Sequence, residues 1–377
     1  MATLTLTRDR PRTLKEAKEW LREHLRERKN PFVFADADVA AAAIERLEGL
    51  DGETWGSCWG NAGAEFERRA EVAEARGDVK AADEARFQAY TFYFIGRYPS
   101  PNHPAKQRCY DKARENYLKI APRFDPPLAR VTLPFEGKEL VFYVRKPKGI
   151  ARPPVIVIWG GIDSWKEETY EVGQALLAAG MAVVAIDGPG VGESPTVGSQ
   201  PDAERQWTPV FDWVLAQADV DGARIGCLGM SFGGYWATKV AHTHRQYLSA
   251  AVNWGGAAHL TFQPEWFTET RFPEYYLMEF HETRARSLGG STYEDYARLA
   301  PKLSLLDKGI LEEPCSPMLL INGRDDRLTT IQDLYLLLRH GGPKTARVFP
   351  GGHMGRTPET VPTIVGWLQR QLGARSS

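Results

Sequence analysis

The chain has 377 residues, 43% of them hydrophobic, and sets 47 basic against 48 acidic side chains for a net charge of −1. That length suits one large domain with an added module, and the even charge balance argues against a nucleic-acid or anionic-membrane partner. The four cysteines, Cys58, Cys109, Cys227 and Cys315, are far apart with no C-x-x-C pair, which argues against a disulfide framework or a cysteine zinc site.

Met1 to Trp20 carries Arg8, Arg10 and Arg12 and lacks the apolar core of a secretion signal. No run of about 18 apolar residues could span a membrane, so a cytoplasmic location is expected. Residues 1–125 read as a helical module. Thr13 and Glu16 form an S/T-x-x-E capping box that opens a helix over Leu14–Arg28, and Asp36 or Asp38 caps a second through Leu47. Helical patterns continue over Ala62–Ala75, Val79–Ile95 and Ala105–Ile120, separated by Gly/Asp turns and the stretch Pro99–Pro104.

The pattern changes at Pro126–Pro127, and residues 126–377 read as an α/β domain. Arg130–Phe135 and Glu139–Val144 alternate with period two around Glu136-Gly137, a β-hairpin signal. Strands over Val155–Trp159, Ala182–Ile186, Arg224–Leu228 and Ala250–Trp254 then alternate with helices over Glu167–Ala179, Glu204–Ala218 and Phe232–His244. Strands Met318–Ile321 and Ala346–Phe349 and helices Ile331–Arg339 and Val361–Leu372 complete the series. Short apolar strands alternating with helices imply a mostly parallel, doubly wound sheet covered on both faces. An insertion at about 257–312 breaks the alternation and is rich in aromatics such as Phe262, Trp266 and Tyr275, which suits a lid or substrate-pocket segment.

Gly229-Met230-Ser231-Phe232-Gly233 is a G-x-S-x-G sequence between an apolar strand and a helix. In that context it is a nucleophile elbow: small residues flank a sharp turn that lifts the serine oxygen out of the sheet at the positive end of the helix. An acid and then a histidine should follow along the chain. His353 sits in the turn Pro350–Gly355 directly after a strand, where an imidazole can reach the serine; His340 ends a helix and has a structural reading. The acid should end the strand Met318–Ile321. Asp325 and Asp326 compete there, and the spacing G-x-x-D favours Asp326. Two backbone N–H groups should form an oxyanion hole: that of Phe232, and one from the loop Gly160–Asp163, where Ile162 is preferred and Gly161 is the alternative. Asp187–Ser194 is glycine-rich but does not open a helix and has no Walker lysine, and the other histidines lack metal-ligand spacing. Neither a cofactor nor a metal is therefore expected.

Four segments together carry a more specific likeness: Arg130–Gly137, Trp159–Glu168, Asp187–Glu193 and Gly229–Gly234. They resemble a subgroup of α/β-hydrolases that includes 2,6-dihydroxypseudooxynicotine hydrolase, fungal polyketide-shortening hydrolases and fermentation–respiration switch proteins. The resemblance spans nearly the whole chain. It implies the α/β-hydrolase fold with a helical N-terminal module, a small-molecule substrate, and a homodimer in which that module caps the site. It also implies hydrolysis of a carbon–carbon bond beside a carbonyl, as in a β-diketone or polyketide, or of a simple ester. An additional glutamate assists in the nicotine-pathway member; the matching region here is Trp254-Gly255-Gly256 followed by Glu265, Glu269 and Glu274. Glu265, Glu269, Trp254 and Trp266 are accordingly candidate substrate-binding residues. A carboxylesterase or amidase, an acyl transferase or cyclase, and a partner-binding regulator are the competing readings.

Overall fold

The computed structural model describes residues 7–374, which fall into two compact units. Arg10–Pro127, with Tyr276–Glu279, form a helical unit; Leu128–Tyr275 and the chain from Phe280 onward, with residues 7–9, form the other.

In the helical unit, Thr13 and Glu16 cap each other across the start of α1 (Leu14–Arg26). Asp36, not Asp38, caps α2 (Ala37–Arg46): its Oδ1 accepts the Asp38 and Val39 N–H groups at 3.1 and 3.0 Å. The next helix, α3, runs over Gly52–Ala75 and so begins at Gly52 rather than at Ala62. The glycines there read as breakers in sequence, but in the fold they are points of close approach. A Cβ on Gly56 would lie 2.8 Å from Ala105, and one on Gly63 2.7 Å from the Tyr93 ring. They let α4 (Val79–Gly96) and α5 (Pro104–Ile120) pack tightly on α3, around Trp55, Trp59, Phe92 and Tyr117.

The second unit is built on an eight-stranded sheet. The hairpin strands β1 (Ala129–Phe135) and β2 (Lys138–Arg145) turn at Glu136-Gly137, where φ is +50° and +77°, the left-handed pair a tight two-residue hairpin needs. Then come β3 (Pro154–Trp159), α6 (Tyr170–Ala178), β4 (Ala182–Ile186), α7 (Thr208–Leu215), β5 (Asp221–Met230), α8 (Phe232–Thr243) and β6 (Leu248–Trp254). The helix expected over Glu204–Ala218 is a 3-10 turn, Ala203–Trp207, running into the shorter α7. The insertion holds three short helices, α9 (Pro264–Glu269), α10 (Phe280–Ser287) and α11 (Tyr293–Leu299). Last are β7 (Met318–Gly323), α12 (Ile331–Leu337), β8 (Lys344–Phe349) and α13 (Thr360–Leu372).

The sheet order is β8-β7-β6-β5-β3-β4-β2-β1, and β2 alone runs against the rest. Strands β3 and β4 are buried along their whole length because helices cover both faces. The order reverses at β3, with β4 on one side and β5 on the other. In an open α/β sheet the crevice outside the carboxyl ends of the strands at such a reversal is where ligands bind. Gly160, Ser231, Asp326 and His353 all follow the carboxyl ends of strands. No helix among the described residues is long and apolar enough to cross a membrane.

Candidate active site

Ser231 follows β5 and caps α8 with φ +56° and ψ −125°, backbone angles that favour glycine. Two hydrogen bonds hold it there: its N–H donates to the Trp254 carbonyl at 2.7 Å, and its carbonyl accepts the Gly234 N–H at 2.8 Å. The flanking glycine is a steric requirement, since a Cβ on Gly229 would sit 2.0 Å from the Gly233 carbonyl oxygen. Strain at a single serine, stabilised by its surroundings, is a feature of functional sites rather than of ordinary turns.

His353 meets this serine. Its Nε2 lies 2.7 Å from Ser231 Oγ and its Nδ1 2.8 Å from Asp326 Oδ2. Asp326 is only 3% exposed, and its other oxygen accepts the Leu328 and Thr329 N–H groups at 2.8 and 3.1 Å. Asp325 instead faces solvent and pairs with Arg324 at 3.2 Å. His340 faces the Glu312 carboxylate at 3.2 Å. The imidazole thus bridges a hydroxyl and a buried carboxylate, an arrangement that can draw a proton from the hydroxyl and stabilise the resulting imidazolium.

The histidine turn is itself anchored. Met354 has φ +67°, its N–H donates to Asn322 Oδ1 at 3.0 Å, and its carbonyl accepts the Trp254 indole N–H at 2.7 Å. Trp254 was a candidate for binding substrate, and here the structure corrects the sequence reading. The ring is 1% exposed and its only polar atom is committed to Met354, so it braces the His353 turn. Asn322, at the end of β7, is a positioning residue that sequence reasoning missed. Its signal was an amide placed just before the glycine that ends a buried strand.

On the other side of the serine, a Cβ on Gly161 would lie 3.0 Å from Ser231 Cβ and 3.2 Å from its Oγ. The loop after β3 therefore approaches the hydroxyl as closely as a bare backbone allows. Ile162 is buried, and its carbonyl accepts the Trp165 indole N–H at 3.3 Å. Phe232 is the first residue of α8, so its N–H has no partner within the helix. In the insertion, Glu265 and Glu269 occupy exposed positions of α9 and Trp266 is half-buried. None of the three belongs to the hydrogen-bonded chain through Ser231, His353 and Asp326.

A buried ionic cluster lies next to the Gly160–Trp165 loop. Lys166 Nζ sits 2.7 Å from Asp187, 2.8 Å from Glu193 and 3.2 Å from Glu167. Its backbone N–H donates to the second Asp187 oxygen at 2.9 Å, and the Tyr143 hydroxyl donates to Glu167 at 2.8 Å. Complete burial pushes the Glu167 carboxyl above its ordinary range against the pull of Lys166, which favours its neutral form. The glycine-rich segment from Asp187 to Glu193 thus works as an anchor for the loop beside Ser231. Removing the cation would strand buried carboxylates. We expect Lys166→Met to cost roughly 3–5 kcal/mol in urea unfolding; a change below about 1 kcal/mol would show that the cluster is not holding the fold.

The family model described as esterase FrsA-like matches residues 37–341. A 2,6-dihydropseudooxynicotine hydrolase from Paenarthrobacter nicotinovorans is 30% identical over 281 residues, covering 73% of this chain and 72% of that protein. Esterase FrsA from Photobacterium profundum is 22% identical over 338 residues, 87% of this chain and 79% of the relative. Among solved structures, that of the 2,6-dihydroxy-pseudo-oxynicotine hydrolase superimposes with a TM-score of 0.76 at 24% identity, covering 95% of this chain and 97% of its own. That last likeness is one of fold.

Proposed function

We propose, on the premise that this chain belongs to the FrsA-like esterase family and is a hydrolase of the α/β-hydrolase fold, that it is a serine hydrolase acting on a carbon–carbon bond beside a carbonyl. The observation that carries the reading is the continuous hydrogen-bonded chain from a strained Ser231 through His353 to a buried Asp326. In the first step His353 Nε2 takes the Ser231 proton while Oγ adds to the substrate carbonyl carbon. The N–H of Phe232 and that of Ile162 or Gly161 hold the oxyanion. The tetrahedral adduct then collapses, the carbon–carbon bond breaks, and His353 gives its proton to the departing enolate carbon. Water, activated by the same imidazole, adds to the acyl-serine and frees the carboxylic acid. The homodimer implied by the resemblance is part of the same proposal.

Hydrolysis of a carboxylic ester would use the same groups with an alkoxide leaving, and the esterase FrsA relative favours keeping that second reading. A product-resolved assay on an aryl β-diketone and a short-chain p-nitrophenyl ester separates the two. Faster cleavage of the diketone to an acid and a ketone is the expected result. Cleavage of the ester alone would move the assignment to carboxylesterase.

A further inference from the structure

The insertion grips the loop that carries Asp326. Arg284, on α10, is 3% exposed. Its Nη2 donates to the Leu328 carbonyl at 2.9 Å and its Nη1 to the Tyr296 hydroxyl at 3.1 Å, and its guanidinium lies 4.2 Å from the centre of the Phe280 ring. Among the described residues no carboxylate forms an ion pair with it. An arginine stays charged even when buried, so this cation needs a counter-charge within reach.

The carbonyl it binds leads to one carboxylate, Asp326. Leu328 C=O and Thr329 N–H belong to one peptide group, and the Thr329 N–H donates to Asp326 Oδ1 at 3.1 Å. A cation on the carbonyl oxygen polarises the peptide and makes its N–H a stronger donor to the carboxylate. The opposite Asp326 oxygen is the one that meets His353. A second contact pins the far end of the loop: Thr261 Oγ1 accepts the Thr330 N–H at 3.1 Å and donates to Asp333 at 2.6 Å. Two titratable groups feel the Arg284 charge directly, His281 on the same helix and Tyr296 on α11. Burial, reinforced by the Arg284 charge, pulls the His281 imidazole down to about 3. Burial also raises the Tyr296 hydroxyl, against the pull of Arg284 and with Asp333 adding to the rise. Both are neutral near pH 7, and the other cation that His281 feels, Arg271, lies over the Tyr293 ring at 4.2 Å.

We propose that Arg284 is a positioning residue whose charge, passed through the Leu328–Thr329 peptide, strengthens the hold on Asp326 and keeps it aimed at His353, so that the insertion and the acid loop act as one unit. The inference rests on the serine-hydrolase reading. The test measures kcat and KM for a short-chain p-nitrophenyl ester with wild type, Arg284→Met, Arg284→Gln, Arg284→Lys and Ser231→Ala. In Arg284→Met, kcat should fall about ten- to a hundredfold with KM within about threefold of wild type. Arg284→Lys should recover much of that loss because an ammonium can still donate to the Leu328 carbonyl. Arg284→Gln, which can donate without carrying charge, should stay low. A kcat in Arg284→Met within about twofold of wild type would overturn the inference. So would equal losses in the Lys and Gln variants, a comparison that holds even where the Met variant does not fold. A Ser231→Ala protein as active as wild type would instead bring down the hydrolase reading, and this inference with it.

Discussion

Ser231→Ala is expected to lower turnover of the diketone and the ester by roughly 10⁴- to 10⁶-fold. The oxygen proposed to attack the carbonyl is lost, and in that mechanism neither His353 nor water in its place can form the acyl-serine. Residual catalysis from the oxyanion donors sets the floor. Removing the hydroxyl should leave the fold intact, because the hydrogen bonds that hold residue 231 in its strained turn run through its backbone N–H and carbonyl. Thermal unfolding within a few degrees of wild type checks that point, and labelling by a fluorophosphonate should disappear in parallel. A protein that still turns over at the wild-type rate would sink the assignment of Ser231.

Asp326→Asn should lower kcat by about 10⁴-fold while Asp325→Asn leaves it near the wild-type value. An amide is close in shape to the carboxylate, so the Leu328 and Thr329 N–H groups keep their acceptor. What changes is the side facing His353 Nδ1. An amide N–H there forces the imidazole proton onto Nε2, the nitrogen that in the proposed mechanism accepts from Ser231 Oγ. The imidazolium also loses its counter-charge. The Asp325 carboxylate faces solvent and pairs with Arg324, so its neutralisation removes a surface pair of little consequence. The reverse ranking of the two variants would refute the choice of Asp326 as the acid.

Much of this was legible in the sequence. The family resemblance and the fold were both readable because their signals are local. A G-x-S-x-G between an apolar strand and a helix specifies a turn through sterics alone, and apolar strands alternating with helices specify a parallel sheet. Element boundaries were less legible. The glycines of α3 look like helix breakers until the neighbouring helices are seen to need their missing side chains. The roles of two aromatic and polar residues were also hidden. Trp254 is a substrate-binding candidate through the family resemblance, yet its indole N–H is used by a turn one hundred positions further along the chain. Asn322 follows the strand read over Met318–Ile321, yet it holds the same turn.

By itself the sequence determined the class of fold, the position of the elbow and the short list of acids and histidines, because each of these depends on side-chain sizes and polarity within a few residues. Only the tertiary structure decided that Asp326 rather than Asp325 meets His353, and that Trp254 and Asn322 brace the histidine turn. It likewise decided that a buried arginine from the insertion meets the acid loop. Those contacts join segments far apart in the chain. Their distances are set by the order of strands in the sheet and by where each strand ends, and no local spacing encodes them.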